Sequence, residues 1–302
     1  MATTITYYKL RKIKDRIVSG WVKTMVGLVL LLPVVIGISL LSKSWLILGH
    51  SGLSELLFSS VWRPLAGEFG FWPFIISSVW VTFLGLIFTA PICLLSAIYL
   101  TQYGSKRLLG MMQPVIDILA GIPSVIYGVW GILLIVPAVG RFLAPLLGIE
   151  TSGFSILAGG FVLAVMLIPF ILNILIEIFR TVPRDLFEAS LSLGASKWHT
   201  IKHVLLGKTF PGIISAFGLG LSRAFGETIA VLMVVGNVVA IPKTIFDPGY
   251  PLPALIANNY GEMLSIPMFD SALMFAALLL MAIVILFNIL SRWAIIHFER
   301  KQ

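Results

Sequence analysis

Apolar residues dominate six runs of this chain, and each run is long enough to cross a lipid bilayer. A membrane-spanning helix needs about 20 consecutive, predominantly apolar residues. The runs cover roughly residues 21–41, 74–100, 114–136, 154–179, 213–240 and 269–293. Since a helix satisfies its own backbone hydrogen bonds in lipid, the pattern predicts an all-α, polytopic membrane protein with six transmembrane helices.

The longest polar interruption between two strongly apolar runs covers residues 182–213. It has a helical pattern, but its apolar side is too narrow for a membrane span and its sequence is too polar for a core. Gly194 divides the pattern into two parts. The stretch predicts a short helical element at the membrane surface, where exposed Phe187, Leu191 and Trp198 would fit a groove in a soluble partner.

Composition agrees with this interpretation and argues against a soluble domain. Hydrophobic residues make up 59% of the 302 residues, charged residues 11%, and the mean hydropathy is +1.03. Soluble domains carry about 25% charged residues. The net charge of +8 alone could suggest nucleic acid, but cytoplasmic loops of membrane proteins are basic for topological reasons. We therefore expect contact with membrane lipid and no nucleic-acid partner.

Basic residues are distributed unevenly over the two sides that six spans define. Sixteen of the 21 Lys and Arg lie on the side of the termini and four on the other, while Arg223 lies inside a span. Because cytoplasmic segments carry an excess of Lys and Arg, we expect both termini and residues 182–213 to be cytoplasmic. Residues 1–20 then form a basic cytoplasmic arm, residues 21–70 the first span with an extracytoplasmic loop, and residues 71–302 the main transmembrane domain.

Arg223 and Glu227 are charged residues inside the fifth apolar run. Four residues apart on one helix, they would share a face with the small residues Ala216, Gly220 and Ala230. A structural ion pair that fixes helix packing is one interpretation. The other is a substrate path, because a guanidinium binds an oxyanion through two parallel hydrogen bonds and keeps its charge. Glu227 would then hold Arg223 in place while the path is empty.

The sequence contains no arrangement of residues that indicates catalysis. Gly207-Lys208-Thr209 is similar to the end of a phosphate-binding P-loop, but Lys202 stands where that motif needs a glycine. No nucleophile–base arrangement and no metal-ligand set stands out. We therefore expect a protein that is not an enzyme, with no catalytic residues, no metal and no cofactor of its own.

The polar stretch contains a recognisable motif. Glu188-Ala189-Ser190, followed by Gly194 and then Val204-Leu205-Leu206, resembles the EAA signature of ABC importer permeases, although Gly207 stands where that family has a proline. The resemblance implies a type I ABC importer permease fold, in which this loop forms a cytoplasmic EAA coupling helix that docks onto an ATPase. The residues expected in this coupling role are Phe187, Glu188, Ala189, Leu191, Gly194 and Trp198.

Two further segments narrow the family. Residues 121–128 (GIPSVIYG) and residues 223–237 (RAFGETIAVLMVVGN) resemble the phosphate-specific ABC permeases, and the second is closer to PstC-type than to PstA-type subunits. The resemblance implies that Arg223, Glu227 and Thr228 lie on the substrate path. It also implies a PstA-like second permease subunit, a cytoplasmic ATPase dimer that binds the ATP, and an extracytoplasmic phosphate-binding protein, all at a prokaryotic plasma (inner) membrane.

Three alternatives remain at this point. Importers of molybdate, tungstate or sulfate are similar permeases within the same class. An ion-coupled secondary transporter would need no docking loop, and a membrane enzyme would need a catalytic constellation that the sequence does not contain. Co-purification with an ATPase subunit separates the first of these from the other two.

Overall fold

The computed structural model describes residues 2–261 and 266–299, which form a bundle of helices with one small hairpin. The N-terminal part contains α1 (Ala2–Lys43), α2 (Trp45–His50), α3 (Leu53–Phe58), β1 (Trp62–Arg63), β2 (Glu68–Phe69) and α4 (Trp72–Ile98). The middle part contains α5 (Lys106–Gly121), α6 (Ser124–Trp130), α7 (Val136–Ala138), α8 (Ala144–Leu146) and α9 (Ile156–Arg180). The C-terminal part contains α10 (Arg184–Ser192), α11 (Lys197–Thr200), α12 (Leu206–Gly226), α13 (Ile229–Leu232), α14 (Leu252–Asn259) and α15 (Pro267–Glu299).

Several of these helices continue into one another through π-helical turns. The turns lie at Tyr99–Tyr103, Gly131–Ile135, Val139–Leu143 and Ile201–Leu205. Six continuous segments of the described residues are long and apolar enough to cross a membrane: Lys14–Lys43, Trp72–Tyr103, Ser124–Leu146, Ile156–Arg180, Lys197–Gly226 and Pro267–His297. The predicted all-α architecture with six spans is therefore confirmed.

The third span begins ten residues later than the predicted run of 114–136. Pro123 has no backbone N–H and disfavours helical geometry in the preceding residue, and Ile122 is accordingly extended with ψ at 129°. The chain therefore forms two helices here, α5 on one side of the break and Ser124–Leu146 on the other. Hydropathy alone could not separate them, because both sides of the break are apolar.

The fifth span also differs from the prediction, which placed it at 213–240. The observed segment starts at Lys197 and ends at Gly226, because Glu227 leaves helical geometry with ψ at 127°. Residues 197–213, expected to belong to the surface element, continue the same helical segment as the span, and Gly212 lies beside Ile178 near the end of α9. The surface element predicted at 182–213 thus consists of α10, the turn after it and the beginning of this continuous helical segment.

Helix α1 contains both the predicted basic arm and the first span in one continuous helix of 42 residues. Its spanning part, Lys14–Lys43, buries none of its most apolar stretch within the chain. It packs along α15, where Gly37 lies close to Met281. The division of the chain at residues 20 and 70, and the cytoplasmic position of the arm, stay predictions.

Helix α9 is the centre of the main hydrophobic core and packs against α4, α5 and α12. Small residues bring these helices close together, as expected where lipid provides no hydrophobic driving force. A Cβ at Gly160 would lie 2.8 Å from Leu84, and a Cβ at Gly220 would collide with the Ile171 side chain. Gly212 and Gly220 of α12 therefore allow this helix to lie close to α9.

A second core lies at the end of the bundle where α1 meets the segment before α4. It is built from aromatic side chains of the hairpin and of the starts of α4 and α15. The Trp62 ring contacts Phe69, Phe71, Phe74 and Phe269 at centroid distances of 4.9–6.1 Å. These contacts attach the segment between α1 and α4 to the last span.

The segment after α13 caps the start of α9. The backbone N–H groups of Ser155, Ile156 and Leu157 donate to carbonyl oxygens of Val234, Asp247 and Ile245. Burial acts to raise the pKa of the Asp247 carboxyl, but hydrogen bonds from the Thr244 and Lys243 backbone outweigh it, and the pKa is lowered. This loop therefore satisfies N–H groups that a helix start leaves open.

We predict that Gly220→Val destabilises the protein, because the added side chain would push α12 away from Ile171. Overpacking of this kind costs about 1–3 kcal/mol, which corresponds to a fall in Tm of a few degrees. Gly110→Val on α5 is the matched control, since a Cβ there would meet nothing within 4 Å. Thermal unfolding in detergent checks the prediction, and equal Tm values for the two variants would contradict it.

Candidate functional site

Arg223 lies in the last turn of α12, against the ring of Phe170 on α9. Its guanidinium carbon is 4.6 Å from the ring centroid, within the range of a cation–π contact. The arginine is nevertheless exposed in the isolated chain. Within the described residues it forms no salt bridge and no side-chain hydrogen bond. Phe170 thus orients the guanidinium and leaves its N–H donors available.

The depth of this contact can be read from α9. Phe170 lies about 21 Å along the helix from Ile156 and about 15 Å from Arg180, at 1.5 Å per residue. Arg223 is therefore close to the middle of the spanning bundle. A charged side chain at this depth is costly in lipid and almost always faces a bundle interior or a water-filled cavity. The exposed side of Arg223 must accordingly face another protein chain or water.

Glu227 does not share a helix face with Arg223, and this part of the prediction is wrong. Helix α12 ends at Gly226, so the four-residue spacing crosses a break in the backbone. Glu227 Oε1 instead accepts the backbone N–H of Ala230 at 3.3 Å. Ala230 itself belongs to α13, not to the face of α12 that carries Ala216.

Thr228 lies in the same break as Glu227 and is half-buried. Its hydroxyl donates to the Gly226 carbonyl oxygen at 3.3 Å. In the GIPSVIYG segment, a Cβ at Gly128 would lie 3.3 Å from the Cα of Ala230, which belongs to residues 223–237. The Tyr127 hydroxyl donates to the Leu119 carbonyl oxygen at 2.8 Å and so spans the break between α5 and α6. The two segments singled out in the sequence therefore lie near each other.

A second polar group, which the sequence pattern did not connect, joins α5 to α9. Asn173 Nδ2 donates to Asp117 Oδ1 at 2.9 Å, and Gln113 Nε2 donates to Asn173 Oδ1 at 2.7 Å. Asp117 and Asn173, which this contact joins, are 56 residues apart in sequence. In the sequence, Asn173 within the apolar run of α9 is the feature that could have indicated this contact.

Helix α10 carries the EAA residues, and the structure places most of them at the surface. Glu188, Ala189, Leu191 and Trp198 are exposed. Phe187 was predicted to be exposed but is half-buried, because it packs against the main core. It anchors α10 to the bundle and is not available as a free docking side chain. A groove of ≈ 500 Å³ runs between α10 and the ends of α4 and α9.

Gly194 ends α10 with a defined backbone motif. Its φ is +82°, and its N–H donates to the Leu191 carbonyl while the Ala195 N–H donates to the Ser190 carbonyl. This is the Schellman arrangement, which favours glycine because other residues strain at positive φ. The hydroxyls of Ser190 and Thr200, 2.9 Å apart, tie the two sides of the turn together. The predicted division of the stretch at Gly194 is confirmed.

Gly207, which stands where the EAA resemblance implies a proline, does not interrupt the helix. It lies in α12 within the continuous helical segment Lys197–Gly226. Pro211 is also inside this helix.

The family profile of binding-protein-dependent transport system inner membrane components matches residues 90–302. Among curated relatives, the probable ABC transporter permease protein YqgH of Bacillus subtilis is 36% identical, over 83% of this chain and 80% of its own length. The phosphate transport system permease protein PstC of Haemophilus influenzae is 33% identical, over 91% of both chains. The PstC protein of Xylella fastidiosa is 32% identical, over 82% of this chain and 80% of its own length.

Among solved structures, inward-facing forms of the MetNI methionine ABC transporter are similar in fold. One chain has a TM-score of 0.54 at 21% identity, covering 79% of this chain and 99% of its own. Another has a TM-score of 0.53 at 22% identity, covering 76% and 94%. At these identities the similarity concerns the fold, which is that of a type I ABC permease.

We predict that Gly194→Val opens the turn after α10, because a β-branched residue is strained at positive φ. A Cβ at this position would meet nothing within 4 Å, so the effect would come from the backbone alone. Gly194→Asn is the matched control, since asparagine tolerates the left-handed region. Hydrogen exchange of residues 190–196 should be faster in the valine variant and close to wild type in the asparagine variant. Equal exchange in both variants would refute the turn's role.

Proposed function

The chain belongs to the family of binding-protein-dependent transport system inner membrane components, and from this premise we propose that it is a permease subunit of an ATP-driven phosphate importer. Relatives that share about a third of its sequence over most of its length carry the name phosphate transport system permease protein PstC. The observation that carries the proposal is Arg223, a permanent cation held at mid-depth with its N–H donors available.

The chemistry of Arg223 fits an oxyanion as cargo. A planar guanidinium presents two parallel N–H donors to two oxygens of a tetrahedral anion, and it remains charged throughout the physiological range. Because Phe170 lies behind it, the guanidinium needs no carboxylate to hold its position. Glu227 and Thr228, in the backbone break beyond Arg223, would border the same path. We propose no other role for Glu227.

The exposed side of Arg223 also supports the need for a second subunit. In the isolated chain this side of Arg223 would face lipid. A related, PstA-like permease subunit would cover it and complete the wall of the substrate path. A phosphate-binding protein outside the cell would deliver the anion. A cytoplasmic ATPase dimer would bind the ATP, leaving this chain without a cofactor, a metal or catalytic residues of its own. Both termini would lie in the cytoplasm of a prokaryotic cell whose plasma (inner) membrane the chain crosses.

We propose that α10 is where the ATPase docks. Leu193 at the end of α10 is 90% exposed, and Trp198 after the turn is 54% exposed. The groove beside α10 is lined by Arg184, Glu188 and Leu191, among others. Because the turn leads directly into the segment Lys197–Gly226, a displacement of α10 would be passed along one helix to Arg223.

Other oxyanions are the main alternative cargo. Molybdate, tungstate and sulfate would satisfy the same guanidinium, so Arg223 alone does not select among them. An ion-coupled secondary transporter is the weaker alternative, because it has no use for a docking helix.

We predict that Arg223→Gln lowers phosphate uptake at least tenfold in a strain that depends on this chain. Loss of a charge-assisted hydrogen bond costs about 1.5–3 kcal/mol, which corresponds to roughly 10- to 100-fold. Assembly with the ATPase and basal ATP hydrolysis should be retained, since Arg223 is far from α10. Radiolabelled phosphate uptake measures the effect.

Arg292→Gln on α15 is the control, because it removes an exposed arginine elsewhere in the chain. Its uptake should match wild type. Excess molybdate or sulfate should leave wild-type phosphate uptake unchanged. Normal uptake by the Arg223→Gln variant would rule out the proposed role of Arg223, and competition by molybdate or sulfate would favour the alternative cargo.

A further inference from the structure

The carboxylate of Asp117 is held by a relay of two amides. Asn173 Nδ2 and Gln113 Nε2 both approach Asp117 Oδ1, at 2.9 and 3.5 Å. Gln113 Nε2 also donates to Asn173 Oδ1, so the network fixes which amide atoms are donors. Within the described residues, Asp117 Oδ2 has no hydrogen-bond partner and Asp117 forms no salt bridge. One carboxylate oxygen is thus fixed and the other is open.

This relay lies on the same face of α9 as the contact of Arg223. The Arg223 guanidinium stacks on Phe170, and the Asp117 carboxylate accepts a hydrogen bond from Asn173. Phe170 and Asn173 are three residues apart on α9 and share one of its faces. Helices α5 and α12 both pack against α9. Arg223 from α12 and Asp117 from α5 therefore both contact this face of α9. Asp117 is about one helical turn closer to the Arg180 end of α9.

The relay is not arranged for stability alone. Asp117 is exposed in the isolated chain, although two amides hold its Oδ1. Gln113 Oε1 is buried without a hydrogen-bond partner in the described part of the chain. Buried polar groups that lack a partner are uncommon and often mark functional sites. A carboxylate beside an anion path would repel the transported anion unless the anion also donates a hydrogen bond to the carboxylate.

We propose that Asp117 selects a protonated oxyanion as it moves on from Arg223, with Asn173 and Gln113 acting as positioning residues. This inference rests on the proposed function. An ionised carboxylate only accepts hydrogen bonds. Phosphate near neutral pH keeps at least one P–OH group, which donates to Oδ2. Sulfate carries no hydrogen at that pH and meets only repulsion between like charges.

The test is competition between sulfate and radiolabelled phosphate for the assembled transporter complex in detergent, without its binding protein. Excess sulfate should displace little phosphate from wild type. Asp117→Asn keeps the size of the side chain and removes its charge, and should lower the sulfate concentration needed for half-displacement at least tenfold. Gln113→Met removes the hydrogen bonds from Gln113 to Asp117 and Asn173. It should lower the sulfate concentration needed for half-displacement at least threefold. Glu150→Gln, an exposed carboxylate in the loop before α9, should behave like wild type.

The outcomes separate the two proposals. An unchanged sulfate-to-phosphate ratio in both Asp117→Asn and Gln113→Met, with both complexes assembled, overturns the role of Asp117. If Arg223→Gln removes phosphate binding in the same assay, the proposed function stands even when the role of Asp117 fails. Absence of saturable phosphate binding by wild type contradicts both. A change of ratio in Asp117→Asn that Gln113→Met does not share overturns the positioning role of the relay.

Discussion

The free-energy cost of placing charge in lipid governs this structure. Arg223 is a permanent cation near mid-depth of the spanning bundle, and the ring of Phe170 covers one of its faces. Such a residue persists where the rest of its surface meets water or protein. That requirement explains why an exposed arginine on a single chain indicates an assembly. It also explains why the face of α9 between α5 and α12 carries polar residues, while the rest of α9 is packed with apolar side chains.

The same helical segment that presents Arg223 begins at the turn after α10. From Lys197 to Gly226 the chain is one helical segment of 30 residues, about 45 Å long. The turn before it is rigid, because Gly194 closes a Schellman motif and the Ser190 and Thr200 hydroxyls lie 2.9 Å apart. Phe187 fixes α10 to the core. Movement at α10 would therefore be transmitted as a shift of a helix and not absorbed by a flexible loop.

Much of this architecture could be predicted from sequence, since bilayer thickness and backbone satisfaction leave few options for apolar runs of this length. Gly194 was identifiable because its role is local. Two span boundaries were wrong because Pro123 and Glu227 interrupt helices inside apolar runs, where mean hydropathy does not change. The prediction that Arg223 and Glu227 share a helix face was wrong for the same reason, because the helix ends at Gly226, between them. Contact between Asp117 and Asn173 depends on how α5 packs against α9, which a single sequence does not reveal.

The central claim is that Arg223 faces a water-filled path, and cysteine accessibility tests it most directly. In a Cys93→Ala background, Arg223→Cys and Ile87→Cys would be exposed separately to a charged, membrane-impermeant thiol reagent applied to the assembled complex. Ile87 is 60% exposed in the isolated chain and lies in the middle of the second span. Because the thiolate forms only where water reaches it, Arg223→Cys should react quickly and Ile87→Cys should stay unlabelled. An unreactive Arg223→Cys, in a complex that is otherwise assembled, would contradict the account.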